Sequence, residues 1–100
     1  MIFFATLPPH RGFVQNRYMY FVYLLRSQKD GGYYIGQTDS IDRRLHQHLD
    51  GKVNSTGSRL PVELLYYEAY SSRTQAIQRE LQLKQFGSAY VGLLKRIDLR

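Results

Sequence analysis

Between Tyr20 and His48 the spacing of apolar positions changes twice, and this stretch organises the rest of the chain. Met19 to Leu25 (MYFVYLL) is almost continuously hydrophobic, the pattern of a strand covered on both faces and central in its sheet. Ser27 to Gly32 (SQKDGG) is turn chemistry, with Asp-Gly-Gly able to supply positive-φ positions. A second strand is predicted over Tyr33 to Gln37, ending at Gly36. Thr38, Asp39 and Ser40 can each cap a helix, and Ile41, Leu45 and Leu49 recur every four residues until Gly51 closes the pattern. Arg44 and His48 are also four apart, on a face beside this apolar stripe.

Downstream, Gly51 to Pro61 reads as a loop and Val62 to Tyr70 (VELLYYEAY) as a third strand. Ser71-Ser72 caps a predicted helix from Arg73 to Phe86, with Ile77, Leu81 and Lys84 on one side, Ala76, Leu83 and Phe86 nearby, and Gly87 ending it. A last helix starts at Ser88 and runs to about Ile97, with Val91, Leu94 and Ile97 inward. Upstream, residues 1–18 lack a sustained period and contain a Pro-Pro pair, which predicts a poorly ordered extension ahead of a domain over 19–98, and Met19 is a possible start. The fold class expected is α+β, a small three-stranded antiparallel or mixed sheet flanked by helices.

Composition narrows the function. The chain has 100 residues, 43% of them hydrophobic, so a single globular domain is expected. Fourteen Lys and Arg against eight Asp and Glu give a net charge of +6, which favours partners carrying phosphate. Cysteine is absent, which excludes disulfides, thiolate nucleophiles and thiolate-bound zinc, and is compatible with a cytoplasmic location. No apolar run reaches the roughly 20 residues of a membrane span, so no membrane partner is expected.

The residues Phe21-Val22-Tyr23 and Tyr34-Ile35-Gly36, followed by Asp42-Arg43-Arg44-Leu45 with His48, then by Ala76-Ile77-Gln78-Arg79-Glu80 and Lys84, resemble the GIY-YIG nuclease superfamily and its short single-domain, YhbQ-like branch. Phe21 and Val22 stand where the first tripeptide has Gly and Ile. Arg59 to Leu64 resembles the branch's entry into its third strand. Many active members place an asparagine after the metal-binding helix, where this chain has Phe86-Gly87-Ser88.

The resemblance implies a metal-dependent DNA endonuclease selective for DNA structure and linked to repair or recombination; the alternative is a nucleic-acid-binding module with little or no catalytic activity. It implies Tyr23, Tyr34, Arg44 and His48 as catalytic residues, with Glu80 holding Mg²⁺ or Mn²⁺ through oxygen, as hard cations prefer. Arg44 would grip the phosphate with its planar fork. Tyr23 is favoured as general base with Tyr34 holding water or phosphate, and the reverse assignment stays open; either phenol needs its pKa lowered from about 10 by the metal, Arg44 or His48. Gly36, Arg43, Lys52, Thr56, Arg59 and Lys84 are candidate nucleic-acid contacts.

Each reading has a plainer counterpart. Strand tyrosines are ordinarily core residues, which is the reading kept for Tyr20, Tyr33, Tyr66, Tyr67 and Tyr70. Arg43 is by default a solvated helix charge, and Glu80 an i,i+4 partner of Lys84. Lys52, Thr56 and Arg59 are ordinarily loop residues, and Gly36 either a turn or a close backbone approach. His46 and His48 point to different sides of their helix, which argues against a two-histidine metal clamp.

Overall fold

A computed structural model describes residues 19–98, and the expected extension over 1–18 lies outside them. Three strands, β1 (Tyr20–Ser27), β2 (Tyr33–Thr38) and β3 (Val62–Tyr70), form an antiparallel sheet of order β2-β1-β3, so the most hydrophobic strand is central, as its sequence predicts. The β1–β2 turn takes its shape from Ser27, whose hydroxyl accepts the backbone N–H groups of Lys29 and Asp30, both at 3.1 Å, and from Gly31 at φ +74°. β2 runs past Gly36 to Thr38, and in the order β2-β1-β3 it is an edge strand with no further strand paired to its outer side among the described residues.

Alternation along the strands sends side chains to two separate cores. On one face, Tyr23, Leu25, Val62 and Leu64 pack with Tyr34 and with Ile41 and Leu45 of α1 (Ile41–Leu49). On the other, Val22, Leu24, Ile35, Leu65 and Tyr66 meet Ala76 and Leu83 of α3 (Arg73–Lys84) and Leu93 and Ile97 of α4 (Ser88–Asp98). Ser40 and Ser72 are the N-caps of α1 and α3, their hydroxyls accepting the N–H groups of Arg43 at 3.3 Å and Gln75 at 3.4 Å. A short helix, α2 (Asn54–Gly57), stands where a plain loop was expected.

The helices are rotated from the faces their apolar spacing predicts. In α1, His48 is fully buried while Leu49 is 47% exposed. In α3, Ala76 and Leu83 face the sheet, and Ile77, Leu81 and the following Phe86 are left exposed. The cause is polar. Glu68 of β3 accepts hydrogen bonds from Tyr66 and Tyr70 and a forked pair from Arg79 of α3 at 2.9 and 3.2 Å, which turns the Arg79 side of that helix to the sheet. Arg79 and the two tyrosine hydroxyls together outweigh burial, holding the Glu68 carboxyl below its ordinary pKa. In α4, Leu93 and Ile97 are buried, Leu94 is half-buried and Val91 is exposed.

Candidate active site

On the α1 face, β1 and β2 place Tyr23 opposite Gly36 in register, and the Tyr23 ring lies over the bare glycine backbone. No side chain fits beneath that ring, which is the close approach the sequence left open for Gly36. The Tyr23 hydroxyl is 2.9 Å from His48 Nε2 and accepts from Arg44 Nε at 3.3 Å. Arg44 Nη1 also donates to Gln47 Oε1 at 3.0 Å, which holds the guanidinium along the outer side of α1. The Tyr34 ring sits 4.9 Å from that of His48 and 6.1 Å from that of Tyr23, centroid to centroid. The four expected catalytic side chains therefore meet at one place.

Thr56 completes the group in a way the loop reading missed. Its hydroxyl lies 2.8 Å from His48 Nδ1, and with only 1% of the residue exposed it is closed to a phosphate arriving from solvent. His48 therefore bridges the Tyr23 and Thr56 hydroxyls, one ring nitrogen donating and the other accepting when the imidazole is neutral. The turn after α1 sets this up, with Gly51 at φ +76° reversing the chain into α2. Sequence spacing carried no sign of the pairing, since it depends on α2 folding back over α1.

Both hydrogen-bonded groups are held neutral. Burial first, and then the Arg44 charge, lower the His48 pKa to about 4. Burial raises the Tyr23 pKa well above its ordinary value against the opposing effect of Arg44, so the depression expected for a base at Tyr23 is not built into the protein alone. Because the unfolded chain protonates His48 near pH 6.5 and the folded chain only near 4, folding stability should fall as the pH drops through that interval and level off above it. Thermal midpoints recorded from pH 7 to 5 test this: a decline absent from His48→Gln is expected, and a midpoint flat over the range would contradict it.

The other sequence candidates lie elsewhere. Arg59 Nε bonds Asp30 at 3.1 Å and its carbonyl accepts from Ser27, so it ties α2 to the hairpin turn. Arg43 pairs with Asp39, and Lys52 is exposed just after α1. Glu80 projects from α3, the helix on the opposite face of the sheet from Tyr23, and Lys84 is 3.1 Å from its carboxylate.

Around the free edge of β2 the two faces communicate. A cavity of about 330 Å³ is lined by Gln37, Thr38 and Asp39 at the end of β2, by Arg43, Arg44 and Gln47 of α1, and by Arg73 at the start of α3. In its wall, Gln37 Oε1 is buried without a hydrogen-bond partner among the described residues.

Residues 19–93 match the GIY-YIG catalytic domain. The chain belongs to that family. Within the GIY-YIG family it is similar to a UPF0213 protein of Bacillus licheniformis, 42% identical over 67 residues that span 66% of this chain and 68% of that one. A UPF0213 protein of Streptococcus agalactiae is also 42% identical, over 65% of this chain and 74% of its own. Among solved structures, the solution NMR structure of a UPF0213 protein from Bacillus halodurans superposes with a TM-score of 0.50 at 30% identity, covering 79% of this chain and 84% of that one. The GIY-YIG domain places the chain in a nuclease superfamily, in its short single-domain branch.

A divalent metal is general among GIY-YIG nucleases. Among the described residues no three His, Cys, Asp or Glu side chains gather as a ready-made site. The donor chemistry nevertheless suits Mg²⁺, which keeps several waters and needs only one or two protein oxygens. Glu80 offers a carboxylate, and the unpartnered Gln37 Oε1 is a second hard oxygen on the α3 side of the sheet, since it follows Ile35 by two positions along β2. No described helix is long and apolar enough to cross a membrane.

Proposed function

We propose that this GIY-YIG domain is a metal-dependent endonuclease that hydrolyses phosphodiester bonds in DNA, selects DNA structure over sequence, and acts in repair or recombination. The observation that carries the reading is the convergence of Arg44, His48 and Tyr34 on the Tyr23 hydroxyl, beside a cationic cavity. Hydrolysis needs a base for water, a positive group at the scissile phosphate and relief of charge on the leaving oxygen. Arg44, already oriented by Tyr23 and Gln47, supplies the second.

Of the two assignments open to the tyrosines, burial favours Tyr34 as the group that takes the proton from water. Tyr23 is only 3% exposed and its oxygen is already shared by Arg44 and His48, whereas Tyr34 is only half-buried, with its hydroxyl beside Tyr23 and Arg44. Tyr23 then positions Arg44, and His48 with Thr56 fixes Tyr23. A divalent ion held by Glu80, with Gln37 as a second oxygen, would supply Lewis-acid stabilisation of the charge that develops on phosphate oxygens.

The test is incubation of purified protein with branched, nicked and single-stranded DNA in Mg²⁺ or Mn²⁺. Cleavage is expected on at least one of these, removed by EDTA and lowered at least about 10²-fold in Glu80→Ala. Salt-dependent binding without cleavage on any substrate would instead identify a nucleic-acid-binding module.

A further inference from the structure

We propose that the cavity at the free end of β2 is a second phosphate subsite of the nuclease, in which Arg73 holds the backbone phosphate next to the one that Arg44 holds for cleavage. This rests on the nuclease reading above and adds to it a substrate-binding residue that lies outside the tyrosine–histidine cluster.

Charge is the first argument. Three guanidinium groups and one carboxylate line the cavity. Asp39 is held ionised below its ordinary pKa, chiefly by its hydrogen bond from Arg43, so those two side chains largely neutralise each other. Arg44 and Arg73 are the two cations of the lining that form no direct ion pair among the described residues, although Asp39 also feels the Arg73 charge. A cavity whose surplus is two guanidinium forks suits two anionic oxygens sets, and arginine is the side chain whose planar donors match phosphate.

Preorganisation is the second. The Arg73 guanidinium carbon lies 4.8 Å from the centre of the Tyr20 ring, a cation–π contact that restricts an otherwise mobile side chain on the surface. Its backbone begins α3, directly after the Ser72 cap, where the positive end of the helix dipole adds to the attraction for an anion. Arg44 is restrained in turn by Tyr23 and Gln47. Both forks are thus set before a ligand arrives, which lowers the entropy lost on binding.

Size and composition are the third. At roughly 30 Å³ per water the space would hold about ten waters, far more than one phosphate displaces and enough for a sugar with its phosphate. The Gln47 amide in the wall can donate to sugar or phosphate oxygens, and among the described residues no large apolar side chain lines the cavity to favour a hydrophobic ligand. The position also fits a continuous strand, because the cavity shares Arg44 with the tyrosine cluster and wraps from α1 round the edge of β2 to α3.

The experiment measures binding of short fluorescein-labelled duplex and single-stranded oligonucleotides by anisotropy in EDTA, where no metal-dependent cleavage occurs, over a series of salt concentrations. Arg73→Ala should weaken binding about tenfold, and the slope of log Kd against log salt should fall by about 0.7 for a single strand or 0.9 for a duplex, the loss of one phosphate contact. Arg73→Lys should restore the slope but only part of the affinity. On a cleavable substrate, Arg73→Ala should raise KM and leave kcat within about twofold, because the flanking phosphate is gripped equally in ground and transition states. Binding and salt slope of Arg73→Ala equal to wild type, or no oligonucleotide binding by the wild-type chain, would overturn the subsite. If the chain binds through Arg73 but cuts nothing, the endonuclease reading fails and the subsite stands.

Discussion

Tyr34→Phe is expected to lower the rate of DNA cleavage by about 10²- to 10⁴-fold, the usual contribution of a positioned general base, with folding and DNA binding unchanged. The substitution removes the hydroxyl of a half-buried residue, leaves the Tyr23 oxygen with His48 and Arg44, and keeps the ring that packs beside His48 and Tyr23. No buried polar group is orphaned by the change, so thermal stability should stay within the range of a surface substitution. Single-turnover cleavage at saturating metal isolates the chemical step. A Tyr34→Phe rate close to wild type would return the base to Tyr23, the assignment that burial and the raised Tyr23 pKa speak against.

Gly36→Ala should be damaging for a different reason. A Cβ at position 36 would overlap the Tyr23 hydroxyl oxygen and stand 2.9 Å from a ring carbon, inside any normal contact distance. The ring cannot simply retreat, because its hydroxyl is shared by His48 Nε2 and Arg44 Nε and the residue is only 3% exposed. Forcing an extra methyl into such packing costs about 1–3 kcal/mol. Moving the phenol also moves Arg44, so cleavage should be lost even where the variant folds. Denaturant titration and cleavage assays on Gly36→Ala and on Gly36→Ala combined with Tyr23→Phe separate the two effects. Because Tyr23→Phe removes the oxygen that clashes most, the penalty of Gly36→Ala should be smaller in the Tyr23→Phe background than in wild type, with cleavage lost in both. A midpoint for Gly36→Ala equal to wild type would show that the Tyr23 ring does not depend on the bare backbone beneath it.

These two predictions draw on different kinds of information. That Tyr23, Tyr34, Arg44 and His48 belong together was readable from a hairpin leading directly into a helix, because such local connections leave few ways to arrange four nearby side chains. What each does was not. The same phenol chemistry occurs at positions 23 and 34, and only burial distinguishes the enclosed residue from the half-buried one. Thr56 was misplaced for a related reason, since a threonine in a polar stretch carries no periodic signal that it will be folded onto a histidine eight residues earlier.

Helix faces show the same division. The apolar spacing of α3 allowed Ile77 and Leu81 to face the core, yet the helix turns Ala76 and Leu83 inward. Its rotation is tied to the Glu68–Arg79 pair, a contact between residues eleven apart that no local period encodes.

By itself, then, the sequence determined the three strands and the three longer helices, the central place of β1 and the family, because all of these follow from local spacing, turn chemistry and short motifs. Only the tertiary structure decided how far each helix is rotated, that His48 is buried neutral against Thr56, that Glu80 lies on the far face of the sheet, and that Arg44 and Arg73 share a cavity round the edge of β2. Those features arise where distant elements pack, and there burial and charge pairing outweigh the preferences of any single segment.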